Sequence, residues 1–239
     1  MRLCGFGGIL PSVMGYKSLS RKDHITNVLL YLAGVIFIPS GIVLAMHAHL
    51  GVAGVDSLCY ALAKRLGVNI AIGVYAITFV SLVIAAVLRK SYPRVQCYLT
   101  SLIYGFFEGC WEALLPDFTS SAFAVRLLAL FLGILIASIA AACYLLSKLP
   151  VNPNDDLLQA LREKGLSVMQ AKLAFEICYF ILALLAGGEI GIGTVAFLIF
   201  LGPFMDLWVK RIEKLEPVSA LNEHFAKPGT ACSRPRRAQ

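Results

Sequence analysis

Two glutamates stand deep in apolar runs, Glu108 in "SLIYGFFEGCWEALL" (101–115) and Glu176 in "AKLAFEICYFILALL" (171–185). Two aspartates follow similar runs at the start of short phrases, Asp56 in "LGVAGVDSLCYAL" (50–62) and Asp155 in "LPVNPNDDLLQAL" (149–161). An ionised carboxylate in the middle of a hydrocarbon layer costs at least about 2.5 kcal/mol unless it is paired or protonated. Such a group can close a structural contact. Arg126 is the candidate partner for Glu108, and Lys172, one helical turn away, for Glu176. It can also take up and release a proton or a cation, because burial disfavours the charged form. Glu112 shares a helix face with Glu108 but lies nearer the end of its run. Asp206, one turn past Gly202 and Pro203, is placed for a salt bridge near an interface.

Asp56 and Asp155 have a structural reading as helix N-caps, since Asp is a strong cap and favours the positive end of the helix dipole. Their functional reading is that a helix beginning inside the membrane presents N–H groups and a carboxylate to a solute, with Asn152 and Asn154 adding neutral hydrogen-bonding groups. Other chemistry is not signalled. His47 and His49 are two apart and share no helix face, and no Ser/His/Asp set or metal-ligand spacing occurs. The seven cysteines are scattered, without a CxxC. "GGEIGIGT" (187–194) lacks the ending of a phosphate loop. No catalytic residue, metal or cofactor is therefore expected, and the chain is not read as an enzyme.

The elements that position these groups are membrane spans. The chain is 59% hydrophobic and 15% charged, against about 25% charged in soluble domains. Six stretches have the ~20 mostly apolar residues that a span needs: 25–48, 68–88, 95–115, 122–147, 167–187 and 190–209. Two segments, 53–66 and 154–165, are helical in pattern but too short to cross, and are read as re-entrant or interfacial. With both termini cytoplasmic, one side collects Lys17, Arg21, Lys22, Arg89, Lys90, Arg94, Lys148, Arg162, Lys164, Lys210, Arg211 and Lys214, and the other only Lys64 and Arg65. This is the positive-inside pattern of a multi-pass protein of the cytoplasmic membrane. Counting the short helices as spans would move Arg89, Lys90 and Arg94 outside. The net charge of +7 is spread over these loops, so nucleic acid is not the expected partner; the lipid bilayer and a small solute are. Homo-oligomerisation is left open by the sequence.

The chain also repeats itself. A shift of 99 residues lays Gly34 on Gly133, Leu50 on Leu149, Asp56 on Asp155 and Leu62 on Leu161; slightly smaller shifts lay Gly67 on Gly165 and Gly105 on Gly202. Three crossings per half put the copies in opposite orientation, giving an all-α membrane protein with an inverted three-plus-three repeat. The expected organisation is a cytoplasmic segment (1–24) without a cleavable signal peptide, a first membrane repeat (25–115), a second (122–214) and a flexible basic tail (215–239). Gly105, Gly193, Gly202 and Thr194 are expected at helix contacts, and Pro39, Pro153 and Pro203 at kinks or breaks.

"LALLAGGEIGIGTVAFLIFLGP" (182–203) and "PNDDLLQALREKGLS" (153–167) resemble motifs of the YczE/YyaS/YitT family of bacterial integral membrane proteins, over about residues 28–208. The resemblance implies two similar halves, carries over Pro153, Asp155 and Glu176, and brings no assigned activity. The first half departs from the family, with Gly54–Val55 in place of its Pro-Trp pair before Asp56. The function expected is transport of a small solute, with proton or ion coupling through the intramembrane carboxylates. A non-transporting membrane anchor or helper for a partner protein is the alternative.

Overall fold

The computed structural model describes residues 21–147, 149–188, 191–215 and 218. They contain eight helices and, among the described residues, no strand: α1 (Arg21–Met46), α2 (Gly54–Leu66), α3 (Ile70–Arg89), α4 (Val95–Leu114), α5 (Phe123–Leu146), α6 (Pro153–Glu163), α7 (Val168–Leu185) and α8 (Ile192–Ile212). Each expected segment is a helix, with ends shifted by a few residues. Four of them, α1, α3, α5 and α8, are long and apolar enough to cross a membrane. This is the character of a membrane protein. Helices α4 and α7, which carry Glu108, Glu112 and Glu176, are not among those four; within α7 the stretch Ala174–Leu185 is apolar but shorter. The basic tail and all but four residues of the N-terminal segment lie outside the described residues.

Local sequence explains where the short helices start and stop. Asn152 caps α6 by accepting from the Asn154 N–H, and Pro153 occupies the first helical position, where a missing N–H costs nothing. Helix α2 ends at Gly67 (φ 65°) and α6 is followed by Gly165 (φ 100°). No atom would crowd a Cβ at either position, so the left-handed backbone alone accounts for glycine there. Gly67 and Gly165 are the pair that the sequence repeat aligned.

Small residues bring the two longest helices together. A Cβ on Gly41 would lie 2.5 Å from the Gly133 carbonyl oxygen, and one on Gly133 would lie 2.5 Å from that of Gly41. Gly34 faces Tyr144, while Gly133 also faces Ala45. Contacts thus step down α5 as they step up α1, so the pair is antiparallel. Beside it, α4 rests on α1 and α8 on α5; farther out, α3 packs on α6 and α7 on α2. The apolar core runs through this assembly, from Met46, Ala48 and Val52 to Leu130, Ile134 and Phe197.

Several packing expectations resolve individually. Gly105 sits against the Tyr75 ring, and Gly193 lies directly on the Gly51 carbonyl with its N–H donating to the Leu50 carbonyl at 2.7 Å. Among the described residues nothing approaches the position of a Cβ on Gly202, so no helix contact is seen there. Thr194 is buried, but its hydroxyl oxygen accepts from the Gly191 N–H in its own turn rather than bonding to another helix. Helices α1 and α8 continue through Pro39 and Pro203.

Candidate functional site

Glu108 is fully buried, and among the described residues neither of its carboxylate oxygens has a hydrogen-bond partner. It lies on the inner face of α4 with Tyr104 one turn before it. Asp56, third residue of α2, lies within electrostatic range of both Glu108 and Glu176. Tyr104 is within range of Glu108, Asp56 and Asp155, so it is a group that senses the short-helix aspartates of both halves. Of the carboxylates singled out in the sequence, Glu108 is fully buried, Asp56 and Glu176 are half-buried and Asp155 is exposed.

The expected cation does not join them. The Arg126 guanidinium donates to the Ala48 carbonyl at 2.7 Å and the His49 carbonyl at 2.8 Å, satisfying acceptors at the end of α1 instead of Glu108. The side chain of Lys172 lies outside the described residues. Glu112 accepts from the Ile70 N–H at 3.3 Å and so serves the start of α3. Asp206 is exposed. Among the described residues no group of three His, Cys, Asp or Glu side chains is arranged to hold a metal ion.

The N-cap reading of the two aspartates needs correction. Ala53 precedes α2 and Asn152 caps α6, which leaves Asp56 and Asp155 as the third residue of each helix. Both remain in the first turn, where the helix dipole favours a negative charge. The two asparagines are tied into structure. The Asn152 N–H donates to the Tyr144 hydroxyl, and Asn154 Oδ1 accepts from the Ser81 hydroxyl at 2.7 Å. Ser81 is also 2.6 Å from the Tyr179 hydroxyl, so one side chain of α3 links α6 to α7.

The other flank holds an ion cluster for which the sequence gives no expectation. Asp156, only 1% exposed, receives Arg89 Nη1 at 2.6 Å and Arg94 Nη1 at 2.9 Å, while Arg89 Nε reaches Glu163 at 2.8 Å. Asp155, its neighbour, is exposed. The signal in the sequence is the doublet Asp155–Asp156 with basic residues flanking the α3–α4 turn, which charge placement alone reads as loop charge. On α2, a Cβ on Gly188 would strike the Ser57 hydroxyl, so the chain passes close to α2 there. Near that flank a cavity of about 330 Å³ is lined by Tyr60, Lys64, Arg65 and Gly187, away from Glu108.

Comparison with known proteins agrees with the sequence motifs. The chain is 22% identical over 186 residues to the uncharacterized protein YyaS of Bacillus subtilis (strain 168), covering 77% of this chain and 92% of that one. No solved structure matches. Residues 25–210, spanning both sets of helices, match the model of a family of unknown function, DUF6198. On that match, the chain is a member of the DUF6198 family, to which no function is assigned.

Proposed function

We propose that this protein is a multi-pass transporter of a small solute in the cytoplasmic membrane, coupled to protons or another ion through its interior carboxylates. The observation that carries this reading is Glu108, buried with both oxygens unpartnered and within range of Asp56. A carboxylate in such a place is a standing cost to the fold. A cost of that kind is retained where the group has work to do, and ion coupling is work that needs it.

The architecture proposed is six crossings, α1, α3, α4, α5, α7 and α8, with α2 and α6 re-entrant and both termini cytoplasmic. Its two halves form an inverted repeat. In support, the order of long and short helices is the same in each half, and the repeat-related helices α1 and α5 are antiparallel. Exchange of the halves also turns the α3–α6 contact into the α7–α2 contact. In this reading the protein performs no catalysis, and its partners are lipid and solute.

The test is uptake by proteoliposomes holding the purified protein, with a broad metabolite panel under an imposed pH gradient. Transport abolished by Glu108→Gln and reduced by Glu176→Gln is the expected outcome. Absence of transport throughout the panel, with a partner protein co-purifying in stoichiometric amount, would favour the anchor or helper reading.

A further inference from the structure

We infer that the cavity between the ends of α2 and α7 binds a phosphate ester carrying one negative charge, as an anionic lipid headgroup presents. The inference rests on the membrane character of the chain and not on the transport reading. Helix α2 ends at Leu66 and α7 at Leu185, and the two helices pack on each other. The cavity where they end holds about 330 Å³, within the range of small-ligand pockets. Its lining is Tyr60, Ala61, Lys64 and Arg65 from α2, with Ala186 and Gly187 from the turn after α7.

Lys64 and Arg65 have an ordinary explanation, since cations favour the negative end of a helix. Backbone groups already close that end, with the Gly67 N–H donating to the Lys64 carbonyl at 3.3 Å and the Val68 N–H to that of Ala63 at 3.0 Å. The two side chains turn to the cavity instead. Arg65 Nη2 donates across to the Leu185 carbonyl at 3.3 Å, which anchors the guanidinium and spends one of its N–H groups. A Cβ on Gly187, whose backbone is left-handed (φ 74°), would lie 3.4 Å from that nitrogen, so glycine leaves the guanidinium uncovered. Lys64 Nζ stands 5.6 Å from the centre of the Tyr60 ring. Both charges thus border one cavity.

Charge balance sets the ligand. Each helix end brings about half a negative elementary charge, so two full cations leave roughly one positive charge for a ligand. The guanidinium fork suits an oxyanion, and the ammonium adds a point charge beside it. The neighbouring residues indicate the source. Leu66 follows Arg65, and Leu184 and Leu185 precede Ala186; each of the three is more than half exposed. Exposed leucines beside a cation pair match a headgroup whose acyl chains lie along the helix ends, and a soluble phosphate ester has no use for them.

Native mass spectrometry of the full chain, purified in neutral detergent and titrated with phosphatidylglycerol, tests this whether or not any solute is moved. The expected result is one retained phosphatidylglycerol that phosphatidylcholine, whose headgroup has no net charge, does not displace. Lys64→Gln should weaken retention about five-fold, the share of one cation near a lipid surface. Lys64→Gln with Arg65→Gln should abolish it. Arg65→Lys keeps the charge, guards against a variant that merely misfolds, and should retain the lipid. Lys210→Gln with Arg211→Gln, at the end of α8, should retain it too. Retention lost in that α8 variant but kept without Lys64 and Arg65 would overturn the proposal, as would equal binding of phosphatidylcholine. Glu189, two residues past Gly187 in the sequence, lies outside the described residues. Lipid retained only in Glu189→Gln would mean that the chain's own carboxylate takes the place, and would also overturn it. Glycerophosphoglycerol, the same diester without acyl chains, separates the sources. Displacement by it at equal concentration assigns the site to a soluble phosphate ester, and failure to displace assigns it to lipid.

Discussion

Arg89 at the end of α3 is locked to Asp156 in the first turns of α6, with Nη1 to Oδ2 at 2.6 Å and Nη2 to the Asp156 carbonyl oxygen at 2.9 Å. The contact joins the two halves of the chain, and Arg94 holds the second carboxylate oxygen. A buried carboxylate with two guanidinium partners is well compensated, and removing it leaves two cations facing an emptied site. Asp156→Ala should therefore cost about 3 kcal/mol, the lower end for breaking a buried ion pair. Asp155→Ala, one residue away and exposed, should cost well under ~1 kcal/mol, as surface changes do. Thermal unfolding of the two variants in detergent compares them; equal losses would refute the division of labour between these neighbours.

Glu108 separates structural from functional carboxylates. Were it half of a hidden ion pair, Glu108→Gln would lower stability by roughly 3–5 kcal/mol. Since its oxygens have no partner, the amide should be accommodated with a change of no more than ~1 kcal/mol. Transport activity should nonetheless be lost. A variant that folds as well as the parent and moves solute at the parental rate would end the functional claim for this residue.

The α1–α5 contact depends on the absence of a side chain. Gly41→Leu or Gly133→Leu drives a side chain into the facing backbone carbonyl, and the helices must separate. Overpacking costs typically about 1–3 kcal/mol. The double variant should be no worse than additive, because both residues guard one crossing. Gly202→Ala, where a Cβ meets nothing, serves as the control and should leave the unfolding midpoint where it was.

Asp117, in the turn between α4 and α5, gives a dependence on pH. The Thr119 hydroxyl and N–H, and then His49 at 3.1 Å, hold its carboxyl at about 2, below the ordinary 3.8. A carboxyl lowered in the folded state contributes stability that is complete above its unfolded value and is lost as pH falls through the folded one. Acidification from about pH 4 to 2 should thus loosen this turn, and Asp117→Asn should remove that limb of the titration. Because the group is largely exposed, the effect is small and is best read by proton exchange of the Thr119 amide.

The sequence by itself determined the elements. Apolar length set the long helices, and Asn152 with Pro153, and Gly67 and Gly165, set the ends of the short ones. Helix ends and helix lengths are local properties, readable because capping, backbone φ and hydropathy act within a few residues. Partners across the fold were not local. Arg126 turned to the carbonyls at the end of α1, Asn154 was absorbed by Ser81, and the buried ion cluster fell to Asp156 and not to Asp155. Only tertiary structure decides which face of a helix meets which neighbour. A one-residue step rotates a side chain by about 100° around a helix, enough to exchange a buried clamp for an exposed carboxylate. That same packing left Glu108 enclosed with no donor, and the sequence could mark the residue but not its isolation.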